Sequence, residues 1–216
     1  MRQVVSILIL ALAMVISAGC TDSNHNRAVY MLLDTSGTYT QELNKAQSII
    51  NYLLGSLVSG YSLAVARIDS GSFSEKDIIE KVTFDNRPSM ANEQKRAFKQ
   101  KVDDFVAHVD SSPYTDITGG VLQATEWLNE TQAGKKYILI FSDLEEDLQK
   151  GHIRDIPLDL VGVNVVAVNV TKLRSDNIDP REYLDRLADW RSKVANGGGE
   201  WRVINDLDNL DKILQE

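Results

Sequence analysis

Arg27-Ala-Val-Tyr-Met-Leu-Leu-Asp34-Thr-Ser-Gly-Thr38 is the stretch on which the fold turns. Its first seven residues form a nearly continuous apolar run, where a half-exposed strand would alternate apolar with polar side chains. A continuous run reads as a strand buried on both faces, the position of an inner strand in a parallel sheet. The run stops at Asp34-Thr-Ser-Gly-Thr38, which is turn chemistry. Leu43, Ala46, Ile50, Leu53, Leu54 and Leu57 then recur at spacings of three and four, which predicts a helix of about five turns ending near Gly60.

The remaining chain continues in the same way. Tyr61 to Ile68 reads as a second strand and Ile78 to Phe84 as a weaker third. Pro88 breaks the chain. After the polar run Asn92 to Arg96, Phe98, Val102, Phe105, Val106 and Val109 mark an amphipathic helix. Thr115-Asp-Ile-Thr118 caps a helix carrying Val121, Leu122, Thr125, Trp127 and Leu128. Lys136 to Phe141 is a short buried strand ending at Ser142-Asp143, and the β-branched stretch Val161 to Val170 is another. Ile178 to Val194 reads as helix with Pro180 in its first turn. A glycine loop, a last strand over Trp201 to Ile204 and a closing helix over Asp206 to Leu214 follow. Strands alternating with helices predict an α/β fold: a doubly wound, mostly parallel sheet flanked by helices, over residues 27–216. The weak third strand leaves the strand order open. In such sheets ligands bind beyond the carboxyl ends of strands, near the point where strand order reverses.

Composition narrows the function. The chain has 216 residues, 43% hydrophobic and 25% charged, which suits one globular domain and excludes a disordered or coiled-coil chain. A formal net charge of −8 without a basic patch argues against nucleic acid, whose phosphates require Lys and Arg. Cys20 is the single cysteine, so neither an intrachain disulfide nor a Cys/His zinc centre is expected. It sits at an informative place. Met1-Arg2-Gln3 precedes an apolar run from Val4 to Ile16, and Ser17-Ala18-Gly19-Cys20 follows, the form of a secretory signal peptide too short to span a bilayer comfortably. Its end resembles a bacterial lipobox, with Ser17 where Leu is usual. That resemblance implies cleavage after residue 19 and lipid on Cys20. Residues 20–26 would then be a short tether reaching at most roughly 24 Å, and several acyl chains would hold it stably to the membrane. Loss of Arg2 with the leader leaves 22 basic and 31 acidic residues, a net charge of −9. Thr21 after the cysteine resembles an outer-membrane sorting signal, which in a Gram-negative cell would place the domain on the periplasmic face.

The polar motifs fall at the expected binding edge. Asp34-x-Ser36-x-Thr38 puts a carboxylate and two hydroxyls on one turn, and alternate residues of an extended loop point the same way. Thr115 and Asp143 can add a hydroxyl and a second carboxylate. Five oxygens with neither nitrogen nor sulfur suit a hard cation such as magnesium.

This arrangement resembles the von Willebrand factor type A family and its metal-ion-dependent adhesion site, which joins an Asp-x-Ser-x-Ser motif to a later loop Thr and a later strand-end Asp. Asp34 and Ser36 match the first motif, and Thr38 replaces its last Ser while keeping the hydroxyl. Thr115, in Thr-Asp-Ile-Thr-Gly-Gly-Val-Leu122, matches the loop Thr. Asp143, in Ile-Leu-Ile-Phe-Ser-Asp143, matches the strand-end Asp. The resemblance implies a binding module rather than an enzyme: hydroxyls on Mg2+ (or Mn2+), aspartates acting mostly through water, and an acidic side chain of a protein partner completing the shell.

Two other readings stand beside it. Leu32-Leu33-Asp34-Thr-Ser-Gly-Thr38 also resembles the first motif of haloacid-dehalogenase phosphotransferases, with Asp34 as nucleophile and Asp143 and Asp147 as late metal ligands. Against it stand Ser36, where that family places an acid or Thr, and a long helix over residues 40–59, where it places a hairpin flap. In the third reading the motif only shapes a turn and holds no metal. His25, His108 and His152 are scattered and read as structural, as do Trp127, Trp190 and Trp201. Glu145-Glu146-Asp147 reads as the start of a solvated helix, and Gly197-Gly198-Gly199, following a helix, as a plain loop.

Overall fold

The computed structural model describes residues 25–37, 39–173 and 175–205, with Leu210 and Lys212 beyond them. The expected signal peptide, Cys20 and most of the expected tether lie outside the described residues, as do Thr38 and most of the expected closing helix. Within them are six strands: β1 (Arg27–Asp34), β2 (Ser62–Ile68), β3 (Ile78–Thr83), β4 (Lys135–Phe141), β5 (Val163–Val168) and β6 (Glu200–Ile204). Four α-helices accompany them: α1 (Leu43–Ser56), α2 (Pro88–His108), α3 (Ile117–Glu130) and α4 (Pro180–Asn196).

The strands form one sheet in the order β3-β2-β1-β4-β5-β6. β1 lies inside it, parallel to β2 on one side, with Met31 opposite Val65, and to β4 on the other, with Met31 opposite Leu139. This explains its unbroken apolar run, since its two faces enter two different cores. Val29, Met31 and Leu33 pack with α1 and α2 residues such as Leu53 and Phe98. Ala28, Tyr30 and Leu32 pack with Val121 and Leu128 of α3 and Trp190 and Val194 of α4. Strand order reverses between β1 and β4, so their carboxyl ends open the crevice in which such sheets bind ligands.

The doubly wound α/β architecture is as expected, but strict strand–helix alternation is not. β3 is antiparallel to β2 and follows it through a loop with one 3-10 turn at Glu75–Asp77. As an edge strand with only half-buried or exposed side chains it lacks a second core face, hence its weak sequence signal. Pro88 opens a helix instead of breaking the chain: α2 runs 21 residues from it, because proline's missing N–H costs nothing in a first turn. Helix α1 is 14 residues long, nearer four turns than five. No helix lies between β4 and β5 among the described residues. Residues 142–162 form a loop that includes Glu145, Glu146 and Asp147, so the expected helix start there is corrected. Leu144 takes a left-handed backbone (φ 67°), and the loop is tied down by Asp147 pairing with Thr115, interactions that replace a helical ladder.

Candidate functional site

Asp34 ends β1 and is fully buried. Its carboxylate is held from two directions: Ser142 Oγ, just past β4, donates to Oδ2 at 2.5 Å, and the Ser36 backbone N–H donates to Oδ1 at 2.8 Å. The turn after it is pinned as well. Thr35 Oγ1 donates to the carbonyl of Ile68 at the end of β2 (2.8 Å), and the Ser112 N–H donates to the Thr35 carbonyl (2.8 Å). Ser36 thereby lies alongside Ser112 in a parallel bridge. Tyr39, just beyond Thr38, is buried, with its hydroxyl on the Asn169 carbonyl and its ring edge-on to Phe141 at 5.1 Å.

Thr115 precedes α3 and is 5% exposed. Its backbone exchanges hydrogen bonds with Asp147, N–H to carbonyl at 2.8 Å one way and 3.1 Å the other. The residue that caps α3 is Asp116, whose Oδ1 accepts the Gly119 N–H at 2.8 Å. Arg154 grips the same carboxylate, with Nη2 2.6 Å from Oδ2, fastening the loop after β4 to the head of α3. Glu146 accepts the Thr118 N–H at 2.6 Å and pairs with Lys193 at 3.2 Å, so this acid does serve a helix start, but that of α3.

Asp143 lies two residues past β4 and is 4% exposed. Its Oδ1 accepts the Glu145 N–H at 3.0 Å. Burial pushes its carboxyl up to about 6, with the charges of Asp34 and Glu145 adding to the rise and that hydrogen bond opposing it. Burial also raises Asp34, against the Ser142 and Ser36 hydrogen bonds that favour its ionised form. Helix α4 braces this corner: Arg186 Nε reaches the Asp143 carbonyl at 3.3 Å, and Trp190 Nε1 donates to the Leu144 carbonyl at 3.2 Å.

Ser36, Thr115 and Asp143 line one open cleft of about 430 Å3, with Gly37, Ser112 and Pro113, and with Glu145, Glu146 and Asp147 at its rim. Asp34 lies buried at the β1 end behind Ser36, reaching the cleft through its bond to that residue's N–H. Of the five expected site residues, three meet in the cleft, Asp34 underlies it, and Thr38 lies outside the described residues. Sequence reasoning missed Ser142, Ser112 and Arg186 as supports. Ser142 adjoins Asp143 in sequence, but only the pairing of β1 with β4 puts its hydroxyl on Asp34. Among the described residues, no group of three or more His, Cys, Asp or Glu is placed to hold a metal. The donor set here is of another kind, two carboxylates with hydroxyls.

No family model matches the chain, and no curated protein matches it. Solved structures do. A von Willebrand factor type A protein from Catenulispora acidiphila aligns over 89% of this chain and 41% of its own, at TM-score 0.56 and 13% identity. The chain thus spans about two-fifths of that protein's length. An aerotolerance-related membrane protein from Bacteroides fragilis aligns over 88% of this chain and 96% of its own, at TM-score 0.48 and 12% identity. The conserved hypothetical protein BatB from Bacteroides thetaiotaomicron aligns over 88% and 95%, at 0.46 and 14%. The chain has the von Willebrand factor type A fold.

Proposed function

We propose that this chain is a membrane-anchored, divalent-metal-dependent protein-binding module, and that Asp34, Ser36, Thr38, Thr115 and Asp143 form its metal site. The observation that carries the reading is the meeting of Ser36, Thr115 and Asp143 in one open cleft at the strand-order reversal, above a buried Asp34. The residues fit a hard cation. Burial raises the cost of ionising both carboxylates, the Asp34 charge adds to it at Asp143, and a cation beside them would offset that cost. In this reading the hydroxyls of Ser36, Thr38 and Thr115 ligate the ion, and Asp34 and Asp143 act mostly through water. Ligation largely by neutral oxygens leaves positive charge to attract an acidic side chain of a protein partner. Magnesium is the expected ion and manganese the alternative. Lipid on Cys20 would hold the domain at the bacterial envelope, at the periplasmic face of the outer membrane in a Gram-negative cell. Among the described residues no helix is long and apolar enough to cross a membrane.

The test is calorimetric titration of Mg2+ into the purified chain and into Asp34→Ala. We expect one saturable site, lost in a variant that keeps its circular dichroism. A folded Asp34→Ala binding Mg2+ like the parent would sink the assignment. Asp147 lines the same cleft as Asp143, the pair of late acids that a phosphotransferase would use. Phosphate release from a generic ester is therefore assayed on the same sample, and turnover there would replace the adhesion reading with the enzymatic one.

A further inference from the structure

A second groove lies beside α3, and none of its lining residues lines the metal cleft. It is formed by Phe73, Glu75, Gln123, Glu126, Trp127 and Glu130, and encloses about 120 Å3. At about 30 Å3 per water that is room for one side-chain head group, and too little for a folded element.

Two features of this groove run against the stability of the isolated domain, and a third leaves a hydrogen-bond donor available. Phe73 is 45% exposed, an aromatic ring standing in water beside the half-buried Trp127. Glu126 and Glu130 lie one turn apart at the end of α3, and neither forms an ion pair among the described residues. Like charges at that spacing repel, and negative charge at a helix carboxyl end opposes the dipole. Glu75 alone has a cation, Lys81 at 2.9 Å. The third feature is Gln123, 7% exposed. Its Oε1 accepts the Tyr30 hydroxyl at 3.2 Å, and this is its amide's only hydrogen bond among the described residues. The NH2 half makes no hydrogen bond to the described residues and is not sealed from solvent, so it can donate to a ligand in the groove.

Aromatic surface, carboxylates without cations and an amide donor without an acceptor are complementary to one kind of group: a cationic side chain on a peptide backbone. Guanidinium or ammonium can rest against Trp127 and Phe73 while Glu126 and Glu130 neutralise it, and the peptide's carbonyl can take the Gln123 donor. We infer that this groove docks an arginine- or lysine-bearing segment of a protein partner. The site is separate from the metal cleft and does not depend on metal being bound there.

The probe is an acetylated, amidated tetra-arginine peptide, titrated into the full chain in a non-ionic detergent, in buffer stripped of divalent metal and at physiological ionic strength. Binding is read by calorimetry and tryptophan fluorescence. We expect the pair Glu126→Gln/Glu130→Gln to weaken binding about tenfold. The pair Glu93→Gln/Glu182→Gln, equal in charge change but on other exposed helix faces, should leave it within about twofold. Phe73→Ala should weaken it severalfold without touching the core. Trp127→Phe should abolish the fluorescence change, identifying the responding indole. Asp34→Ala should bind the peptide as the parent does, so loss of the metal reading would leave this one standing. Absence of binding, equal weakening by the two charge pairs, or a fluorescence change that persists in Trp127→Phe would each overturn the proposal.

Discussion

At Asp143 burial and two neighbouring carboxylates act in one direction, raising the carboxyl to about 6. The unfolded chain holds that carboxyl at the ordinary value, near 4. Between the two values the native state keeps a proton that the unfolded chain has released, so stability falls as pH rises through about 6, by at most about 1.4 kcal/mol per pH unit from this group. Asp34, raised by burial as well, adds in the same direction. Denaturant midpoints of the metal-free chain should therefore drop between about pH 5 and about pH 7.5, and Asp143→Asn should flatten that slope. Saturating Mg2+ should flatten it too, since the ion competes with the proton. A metal-free chain equally stable at both pH values would mean that Asp143 is not buried as described. Asp176, paired with Arg186, is lowered instead and loses its contribution only at more acid pH.

At the scale of single elements, periodicity located most of the secondary structure, and its failures have identifiable causes. The helix preceded by Thr115 was legible from its apolar face, but its cap is Asp116, which serves both the Gly119 N–H and Arg154. Asp116→Ala removes a cap, worth about 1 kcal/mol, and strands a largely buried guanidinium. The expected loss is about 2–4 kcal/mol in denaturant titration. Asp116→Asn keeps an acceptor for Gly119 and should lose roughly half as much. Equal losses in the two variants would show that the ion pair carries the whole effect. In the same motif Gly120 lets α3 approach β1, since a Cβ there would stand 2.9 Å from Leu32 Cδ2. The segment after β4 was misread as a helix start because its acids favour one locally. Glu146 and Asp147 instead satisfy backbone groups at and before α3, which are distant in sequence.

For the molecule as a whole, the site is a product of strand order. β1 ends at Asp34 and leads into Ser36, β4 leads into Ser142 and Asp143, and they meet because these strands pair in parallel at the reversal point. A ligand bound there couples to global stability. At a hundredfold excess over its dissociation constant, Mg2+ should stabilise the fold by about 2.7 kcal/mol, raising the melting temperature by about 5–10 °C. Scanning calorimetry with and without Mg2+ measures this, and Asp34→Ala should show no rise. A rise of similar size in the variant would place the ion elsewhere.

Of the five candidate site residues that the sequence marks by short-range chemistry, a carboxylate and hydroxyls on a turn that ends a doubly buried strand among them, four have a described place at or beneath the cleft. The two-faced core of β1 and the α/β class likewise follow from residue type and spacing alone. Tertiary structure decided the rest. It set the antiparallel edge strand β3, whose half-exposed faces leave little periodic signal. It put the Ser142 hydroxyl on Asp34 across two strands. It placed Gln123 and Trp127 of α3 against Tyr30 of β1 and beside Phe73, forming a groove from residues far apart in the chain. The physical reason is the same throughout: local patterns report which face of an element avoids water, whereas pKa, cleft and groove depend on which distant groups share the resulting low-dielectric space.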